Sequence, residues 1–413
     1  MTLLIPFAFA LSLMISPDTQ VIIGQLIGRT GSLGLLCIIV AMIFYLGLLP
    51  HLRVAGYSRH TGGGLILPLT AAADTLEFMA KIITAVFVIV GLTVSAGFAF
   101  NEIFVYWFPN FGFAFLLLAV LTAVQRLPSR TIAVLQVFFV FAALAGFAVL
   151  IGSGMVMLTG PDVLPHPGDE ISPAPFLAVG LASSLLMFIG VDMGLDAGKI
   201  SKIKENRQYL ALLIAVIVMA ALFLLWGRIL LALPLGDRLV YSTIPHILGA
   251  RALLGETGRY IVGVMIILGA CAAVNGLLFA VQTQGKKMKF RHPLAGVLAV
   301  SIAAGGLMAL GLAGYSQLET MIKGAMAVWL ASYSIKSFLS GLVEERILFK
   351  IRDMVWFGIA SAAWVTLAAT AEHTKWMVAL ITTLTLLMLC VSAYQVMRQR
   401  GKNLRTDSQN QST

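Results

Sequence analysis

Long apolar stretches separated by short polar loops are the feature that most constrains how this chain of 413 residues folds. A helix that crosses a bilayer needs about 20 largely apolar residues, and the stretches here reach that length. Only 11% of the residues are charged, whereas soluble domains carry about 25%. The sequence therefore predicts an all-α, polytopic membrane protein.

We count about twelve predicted spans along the chain. They cover residues 3–27, 32–50, 75–99, 109–125, 131–157, 174–198, 208–233, 259–283, 293–314, 318–338, 354–371 and 376–397. Because this number is even, both ends of the chain are expected on the same side of the membrane.

The basic residues indicate which side that is. Twenty of the 28 Lys and Arg residues, Lys336 among them, are assigned to loops on one side or to the C-terminal tail, and five are assigned to the other side. Loops rich in Lys and Arg stay in the cytoplasm. We therefore predict a multi-pass protein of the cell (cytoplasmic) membrane with both termini cytoplasmic, and the net charge of +10 is not taken as a sign of nucleic-acid binding.

The sixth span carries the strongest candidate for a functional site. Residues 184–207 begin as apolar sequence, then carry Asp192 and Asp196 among three glycines, and end in a basic run. A carboxylate inside a membrane span is costly and usually faces a cavity, a partner or a permeating ligand. Glycines allow the helix to unwind, so the pattern predicts a discontinuous helix at a binding site. The alternative is an ordinary span with both acids at the interface.

The first span holds a second interruption. Its apolar run reaches Ile15 and is followed by Ser16, Pro17, Asp18 and Thr19 before the chain becomes apolar again. A proline inside a helix removes a hydrogen bond, but Ser-Pro-Asp is a favourable helix start, with a serine N-cap and an acid near the positive end. We predict that the helix stops near Ile15 and restarts at Pro17, the alternative being a simple proline kink.

The two interrupted spans lie five spans apart, which indicates a five-plus-five inverted repeat, because an odd repeat length inverts the second copy. Paired interruptions in inverted halves mark the binding site of a transporter. The predicted units are residues 1–157, the first repeat; 174–338, the second repeat; 354–397, two additional C-terminal helices; and 398–413, a cytoplasmic tail. The two breaks are expected to meet near the bilayer centre, since lipid cannot satisfy freed backbone groups.

Three further polar groups lie inside predicted spans. Lys81 follows Glu77 at a spacing that lets the two side chains pair, and it has either this structural role or a direct role in transport. Asn275 lies among small residues that allow close helix packing, and it needs a partner either in that packing or at a site.

Span ten opens with Glu319 and Lys323, a second predicted i,i+4 pair. The same span carries Trp329, Ser332 and Tyr333, for which we expect packing and interfacial anchoring.

Three local motifs resemble segments of a known transporter superfamily. Residues 59–63 (Arg-His-Thr-Gly-Gly), residues 188–192 (Phe-Ile-Gly-Val-Asp) and residues 272–278 (Ala-Ala-Val-Asn-Gly-Leu-Leu) resemble segments after span two, within span six and within span eight of the amino acid–polyamine–organocation (APC) superfamily. Twelve spans with breaks in the first and sixth are similar to that superfamily's leucine-transporter-like fold. The superfamily's Gly-Ser-Gly-Ile-Phe pattern in span one is replaced by Ser-Pro-Asp-Thr.

The resemblance implies a secondary active transporter, or permease, that moves an amino acid or a related organic amine by proton coupling or exchange. Residues 269–278 lack the hydroxyls that form the superfamily's sodium site, so we expect coupling to protons through Asp18 or Asp192, with Lys81 as a further coupling candidate. The predicted substrate-binding residues are Ser16, Asp18, Thr19, Ile189, Gly190, Asp192 and Asn275.

The same residues bear on whether the chain belongs to another class of membrane protein. An enzyme would need clustered His, Cys or acidic residues, whereas the six histidines are scattered and mostly in loops. No phosphate-binding Walker pattern is present. We expect no catalytic residue, metal site, cofactor or nucleic-acid partner, and we expect a small-molecule substrate and the lipid bilayer as partners. A channel-like protein or a non-transporting sensor of small solutes remains the alternative, and the oligomeric state is open.

Overall fold

In the computed structural model of this protein, the described residues are 3–56, 66–159, 173–198, 203–235, 238–288, 292–314, 317–343 and 347–369. All regular secondary structure within these ranges is helical. The α-helices, in chain order, are α1 Leu4–Ala10, α2 Pro17–Thr30, α3 Leu33–Leu48, α4 Ile66–Ala99, α5 Asn110–Val124, α6 Ser129–Leu158, α7 Pro173–Leu186, α8 Met193–Gly198, α9 Glu205–Ala232, α10 Arg238–Tyr241, α11 Pro245–Lys287, α12 Pro293–Ala309, α13 Gln317–Val343 and α14 Ile347–Ala369. Short 3-10 segments cover Leu49–Gly56 and Leu312–Gly314, and a π segment covers Phe100–Phe104.

Five helices of the described chain are long and apolar enough to cross a membrane. The five are Leu33–Leu52, Ala73–Phe104, Ser129–Leu158, Glu205–Ala232 and Pro245–Lys287. Shorter apolar helices cover Asn110–Val124, Leu177–Leu186 and Pro293–Ala309. The predicted span 376–397 and the predicted tail lie outside the described residues, so the number twelve stays a prediction.

Both predicted interruptions are present. The first separates α1 from α2, with turns over residues 11–15. The second separates α7 from α8, with turns over residues 187–192. Gly190 lies inside this second break with φ of 91°, a backbone conformation that glycine adopts without the steric cost of a Cβ atom. This glycine therefore allows the chain to leave the helical path within the span.

The start of α2 follows from local hydrogen bonding. Ser16 is the N-cap, Pro17 occupies the first helical position, and Ser16 Oγ accepts a hydrogen bond from the Thr19 N–H at 3.4 Å. Thr19 Oγ1 donates to the carbonyl oxygen of Leu13 at 2.9 Å, which lies in the break, where helical partners are missing. The predicted restart of the helix at Pro17 is confirmed.

The two interruptions lie against each other and against α11. A Cβ atom at Gly190 would lie 2.7 Å from Leu13 Cδ1, so the second break packs directly on the first. A Cβ atom at Gly269 would lie 2.6 Å from the carbonyl oxygen of Ile15. Small residues of α11 thus let this helix cover the backbone of the first break, as a break buried in protein requires.

The eighth span differs from the prediction, because α11 begins at Pro245 instead of residue 259. Gly255, with φ of 60° and ψ of −139°, divides it into two helical parts. Glu256 forms ion pairs with Arg251 at 2.8 Å and with Arg259 at 3.2 Å around this corner. Because of these charges, the sequence predicts a loop ahead of residue 259. The structure instead has a separate helical segment there, ahead of the span.

We predict that Gly269→Ala destabilises the protein, although alanine is the better helix former by about 1 kcal/mol. The added Cβ atom would lie 2.6 Å from the Ile15 carbonyl oxygen, and overpacking of this kind costs about 1–3 kcal/mol. The measurement is the melting temperature of the purified protein in detergent. Gly306→Ala on α12 is the matched control, because no atom lies within 4 Å of its added Cβ. Equal melting temperatures for the two variants would contradict this packing.

Candidate functional site

A buried cluster of charged side chains joins the second break to α4. Lys81 on α4 is fully buried. Its Nζ lies 2.8 Å from Glu77 Oε1, 2.8 Å from Asp192 Oδ2 and 2.7 Å from Asp196 Oδ2. The Glu77–Lys81 pair predicted from spacing is therefore confirmed, and it is part of a larger arrangement. Because a buried ammonium group loses its hydration, three carboxylates around it compensate for a penalty of several kcal/mol.

Two more lysines extend this cluster to α11 and α13. Lys336 Nζ lies 3.0 Å from Glu77 Oε2, and Lys287 Nζ lies 2.8 Å from Asp74 Oδ1. Gln284 Nε2 donates to Glu77 Oε1 at 2.8 Å. The assignment of Lys336 to a cytoplasmic loop is wrong, because its side chain is 3% exposed and lies about two turns inside the end of α13. The cluster thus connects four elements of the bundle.

Aromatic side chains of α13 complete the surroundings of Asp192. The Tyr333 hydroxyl donates to Asp192 Oδ1 at 2.6 Å, and Trp329 Nε1 donates to Oδ2 at 3.4 Å. Lys81 Nζ lies 5.7 Å from the centroid of the Trp329 ring, within the range of a cation–π interaction. Both aromatic residues are fully buried, so the predicted packing is confirmed and interfacial anchoring is wrong for them. Their spacing of four residues predicts from the sequence that both lie on one face of the helix. It does not predict that this face lies against the carboxylate of Asp192.

A second buried network consists of amide side chains beside the first break. Asn275 Nδ2 donates to Gln136 Oε1 at 2.7 Å, and Gln125 Nε2 donates to Asn275 Oδ1 at 2.8 Å. Gln136 Nε2 donates to Ser12 Oγ at 2.7 Å and to the carbonyl oxygen of Ala272 at 3.1 Å. Asn275 therefore has the partners it needs, and Gln136 connects it to the first break. The sequence analysis identified neither glutamine as a candidate. The amide of Gln136 inside the apolar span 131–157 could have indicated one of them.

Asp18 lies apart from the charged cluster, in the first turn of α2. Its Oδ2 atom is buried and has no hydrogen-bond partner among the described residues. A Cβ atom at Gly91 of α4 would lie 3.8 Å from this oxygen. A carboxylate at this position is favoured by the positive end of the helix dipole. Asp18 is therefore an available acceptor, whereas Asp192 already accepts from Lys81 and Tyr333.

The other predicted site residues contribute helix-capping hydroxyls in the first break and backbone hydrogen bonds in the second. Ser16 and Thr19 direct their hydroxyls to the start of α2. In the second break, the Ile189 N–H donates to the Leu186 carbonyl oxygen at 3.3 Å, and the Gly190 carbonyl oxygen accepts from the backbone of α8. The motif at residues 59–63 and part of the basic run, residues 199–202, lie outside the described residues.

A cavity lies between α2, α7 and the first turns of α13, whereas the charged cluster lies along the later turns of α13. Its volume is about 40 Å³, and its lining includes Gln25, Arg29, Glu319 and Lys323. Lys323 Nζ lies 2.6 Å from Glu319 Oε1, which confirms the pair predicted at the start of span ten. On the predicted topology this cavity faces the outside of the cell.

Among the residues that the structure describes, no group of three or more His, Cys, Asp or Glu side chains is arranged to hold a metal ion.

Comparisons with known proteins show the family and the fold of this chain. Residues 2–288 match the sequence family described as amino acid permease. No curated protein sequence matches the chain. Among solved structures, the Eremococcus coleocola manganese transporter in complex with an aromatic bis-isothiourea substituted compound superposes with a TM-score of 0.62 at 12% identity, over 97% of this chain and 94% of that chain.

A second solved structure has the same architecture. Mhp1, a nucleobase-cation-symport-1 family transporter in a closed conformation with bromovinylhydantoin bound, gives a TM-score of 0.54 at 13% identity, over 93% of this chain and 92% of that chain. At these identities the likeness shows the fold. The predicted fold class, an all-α membrane protein of the leucine-transporter-like type, is confirmed.

We predict that Lys81→Met strongly destabilises the protein, since it leaves carboxylates buried around an apolar side chain. Removing one partner from a buried ion pair costs about 3–5 kcal/mol. The control is Lys323→Met, because the Lys323–Glu319 pair is partly exposed and such pairs contribute about 0–1 kcal/mol. Thermal unfolding of both variants in detergent is the measurement, and a Lys81→Met variant as stable as the control would refute the buried cluster.

Proposed function

This chain belongs to the amino acid permease family, and we propose that it is a secondary active transporter of an amino acid or a related organic amine in the cytoplasmic membrane. One observation carries the proposal: two interrupted helices meet inside the bundle, and each break is accompanied by an acidic residue, Asp18 or Asp192. Discontinuous helices at the middle of the membrane supply the substrate sites of many secondary transporters.

We assign the ammonium group of the substrate to Asp18. The start of α2 is a poor site for a substrate carboxylate, because Pro17 has no N–H, the Thr19 N–H is bonded to Ser16, and Asp18 is itself negative. An ammonium group would instead provide the hydrogen-bond donor that Asp18 Oδ2 lacks. Alternatively the same oxygen takes up a proton, which makes Asp18 the first candidate for coupling.

The charged cluster is proposed to keep the cytoplasmic side closed. It ties the second break to α4, α11 and α13 through Lys81, Glu77 and Lys336. An inward-open state requires these elements to separate, so the ion pairs must exchange partners or become hydrated. Asp192 lies in the break and in the cluster at once, and it therefore links the substrate site to this closure.

We predict that Asp18→Asn and Asp192→Asn each abolish uptake in proteoliposomes while folding is retained, because Lys81 keeps Glu77 and Asp196 as partners when Asp192 is changed. Asn keeps the shape of the side chain but cannot hold a proton or a full negative charge. The probe is a mixture of radiolabelled amino acids and amines, followed by testing of single compounds. Glu256→Gln is the control, because this acid is exposed and its ion pairs are with Arg251 and Arg259.

The outcomes of this experiment separate the alternatives. Normal uptake by both Asn variants would refute the proposed roles of the two acids. Flux that only equilibrates the probe would indicate a channel, and saturable binding without flux would indicate a sensor.

We also predict that uptake follows an imposed pH gradient and is unaffected when sodium is replaced by potassium. The reason is that Asp18 lies in surroundings of low polarity, where a carboxylate can bind and release a proton, and span eight lacks hydroxyls over residues 269–278. Initial uptake rates with an acidic exterior, an acidic interior and no gradient provide the measurement. A requirement for sodium at constant pH would overturn proton coupling.

A further inference from the structure

We propose that His51 is a proton-binding site through which an acidic cytoplasm slows the opening of the protein to that side. The inference rests on the proposed function, and it concerns the junction where the 3-10 segment after α3 meets α13 and α14. His51 belongs neither to the two breaks nor to the charged cluster around Lys81.

The imidazole ring of His51 is fully buried, and neither of its nitrogens has a hydrogen-bond partner among the described residues. Its Nδ1 lies 3.6 Å from Oδ1 of Asp353, whose side chain is also fully buried. Buried polar groups are rarely left without a hydrogen bond. The ring therefore has an unused capacity for bonding, and a carboxylate lies just beyond hydrogen-bond distance.

The charges around this ring favour a bound proton. Arg352 holds Asp353 Oδ1 through Nε at 2.8 Å and through Nη2 at 2.7 Å. Within the described chain, Asp353 and Arg352 are the charged groups that act on His51, and both belong to α14. The Arg352 side chain is 40% exposed, so water screens its repulsion of a positive ring, whereas the attraction of the buried carboxylate is screened less.

The proton comes from the cytoplasm on the predicted topology, because the exposed Arg352 places the junction just below that surface. Histidine is the side chain whose ordinary pKa lies between about pH 5 and pH 8. A proton taken from cytoplasmic water stays on the imidazole of His51, while Asp353 stays ionised. The product is an ion pair between α14 and the 3-10 segment that the neutral ring does not form.

The chain that carries His51 is tied to the second break. On α3, the Tyr45 hydroxyl donates to the carbonyl oxygen of Leu185 at 2.9 Å. This carbonyl lies in the last turn of α7, where helical partners are missing. A displacement of the second break therefore pulls on α3 and on the segment that follows it.

The other side of the junction is tied to α13. The Ser340 hydroxyl on α13 donates to Oδ2 of Asp353. A Cβ atom at Gly47 of α3 would overlap the ring of Trp356 on α14, so α14 lies directly against α3. The junction thus joins α3, which follows the second break, to α13, and the proposed opening separates the second break from α13.

Protonation of His51 opposes this separation. Pulling the ring from Asp353 leaves buried charges without partners, which is costly, whereas pulling a neutral ring away breaks no ion pair. The closed state is therefore favoured when the cytoplasm is acidic. A proton-coupled importer acidifies the cytoplasm as it works, so this site limits uptake once acid has accumulated.

The first test measures initial uptake of the radiolabelled mixture of amino acids and amines in proteoliposomes. The exterior pH is constant, and the interior is set between about pH 8 and about pH 5. The wild type is compared with His51→Gln, with Asp353→Asn and with the control His292→Gln, which changes an exposed histidine at the N-cap of α12. All proteins experience the same proton gradient at each interior pH, so the ratio of their rates isolates the substituted group.

We expect the wild-type rate to fall about fivefold relative to His51→Gln at the acidic end, which is at the lower end of typical coupling between two sites. His292→Gln should follow the wild type. Asp353→Asn should behave like His51→Gln, and it keeps the proposal testable if His51→Gln does not fold, because it retains the ring and removes only the charge of its partner.

Hydrogen–deuterium exchange gives a measure that does not depend on transport, because it reports local opening of the backbone. Residues 347–356 at the start of α14 have the same sequence in the wild type and in His51→Gln. We expect their exchange in the purified protein to be slower in the wild type at about pH 5 and equal in the two proteins at about pH 8.

The two measurements separate the proposals. If the wild type takes up none of the probes but the difference in exchange is present, the proposed function fails and the proton site stands. A transporting wild type whose rate keeps a constant ratio to that of His51→Gln, or equal exchange in the two proteins at both pH values, overturns the site.

Discussion

Lipid offers no hydrogen bonds, so a helix that breaks inside the bilayer must find partners for its backbone within the protein. Most of the arrangement described above follows from this constraint. The hydroxyl of Thr19 reaches back to the Leu13 carbonyl, and Gly269 lets α11 approach the Ile15 carbonyl. Gly190 places the second break directly on the first. The freed polar backbone is thus collected in the interior, where a transported solute can meet it.

Buried charge imposes a second constraint. It determines which arrangement of the helices forms more than it determines how stable the protein is. An ion pair inside a protein recovers little more than its own desolvation, but the loss of one partner is costly. Glu77 contacts Lys81 on its own helix, Lys336 on α13 and Gln284 on α11, so intermediate positions of α11 and α13 leave polar groups of the cluster unpaired. The cluster therefore favours discrete arrangements of the bundle over gradual ones, which is a useful property for a transporter that alternates between two states.

Sequence reasoning predicted the features that depend on neighbours along the chain. The N-cap at Ser16, the glycine in the second break and the pairs Glu77–Lys81 and Glu319–Lys323 all follow from spacings of a few residues. The contacts that define the site depend on which helices pack together. Tyr333 and Asp192 are 141 residues apart, and Asn275 and Gln136 are 139 residues apart. No periodicity in one sequence specifies such pairs, so the polar residues were visible while their partners were not.

The brevity of α8 has an electrical consequence. This helix has six residues, and it carries Asp196 while Asp192 immediately precedes it. A tilt of so short a segment along the membrane normal would move two carboxylates relative to Lys81 on the much longer α4, and so would displace charge in that direction. Moving one elementary charge through a membrane potential of 100 mV involves about 2.3 kcal/mol. In the proposed transport cycle, the resting potential would therefore act on the equilibrium between the inward-open and the closed state.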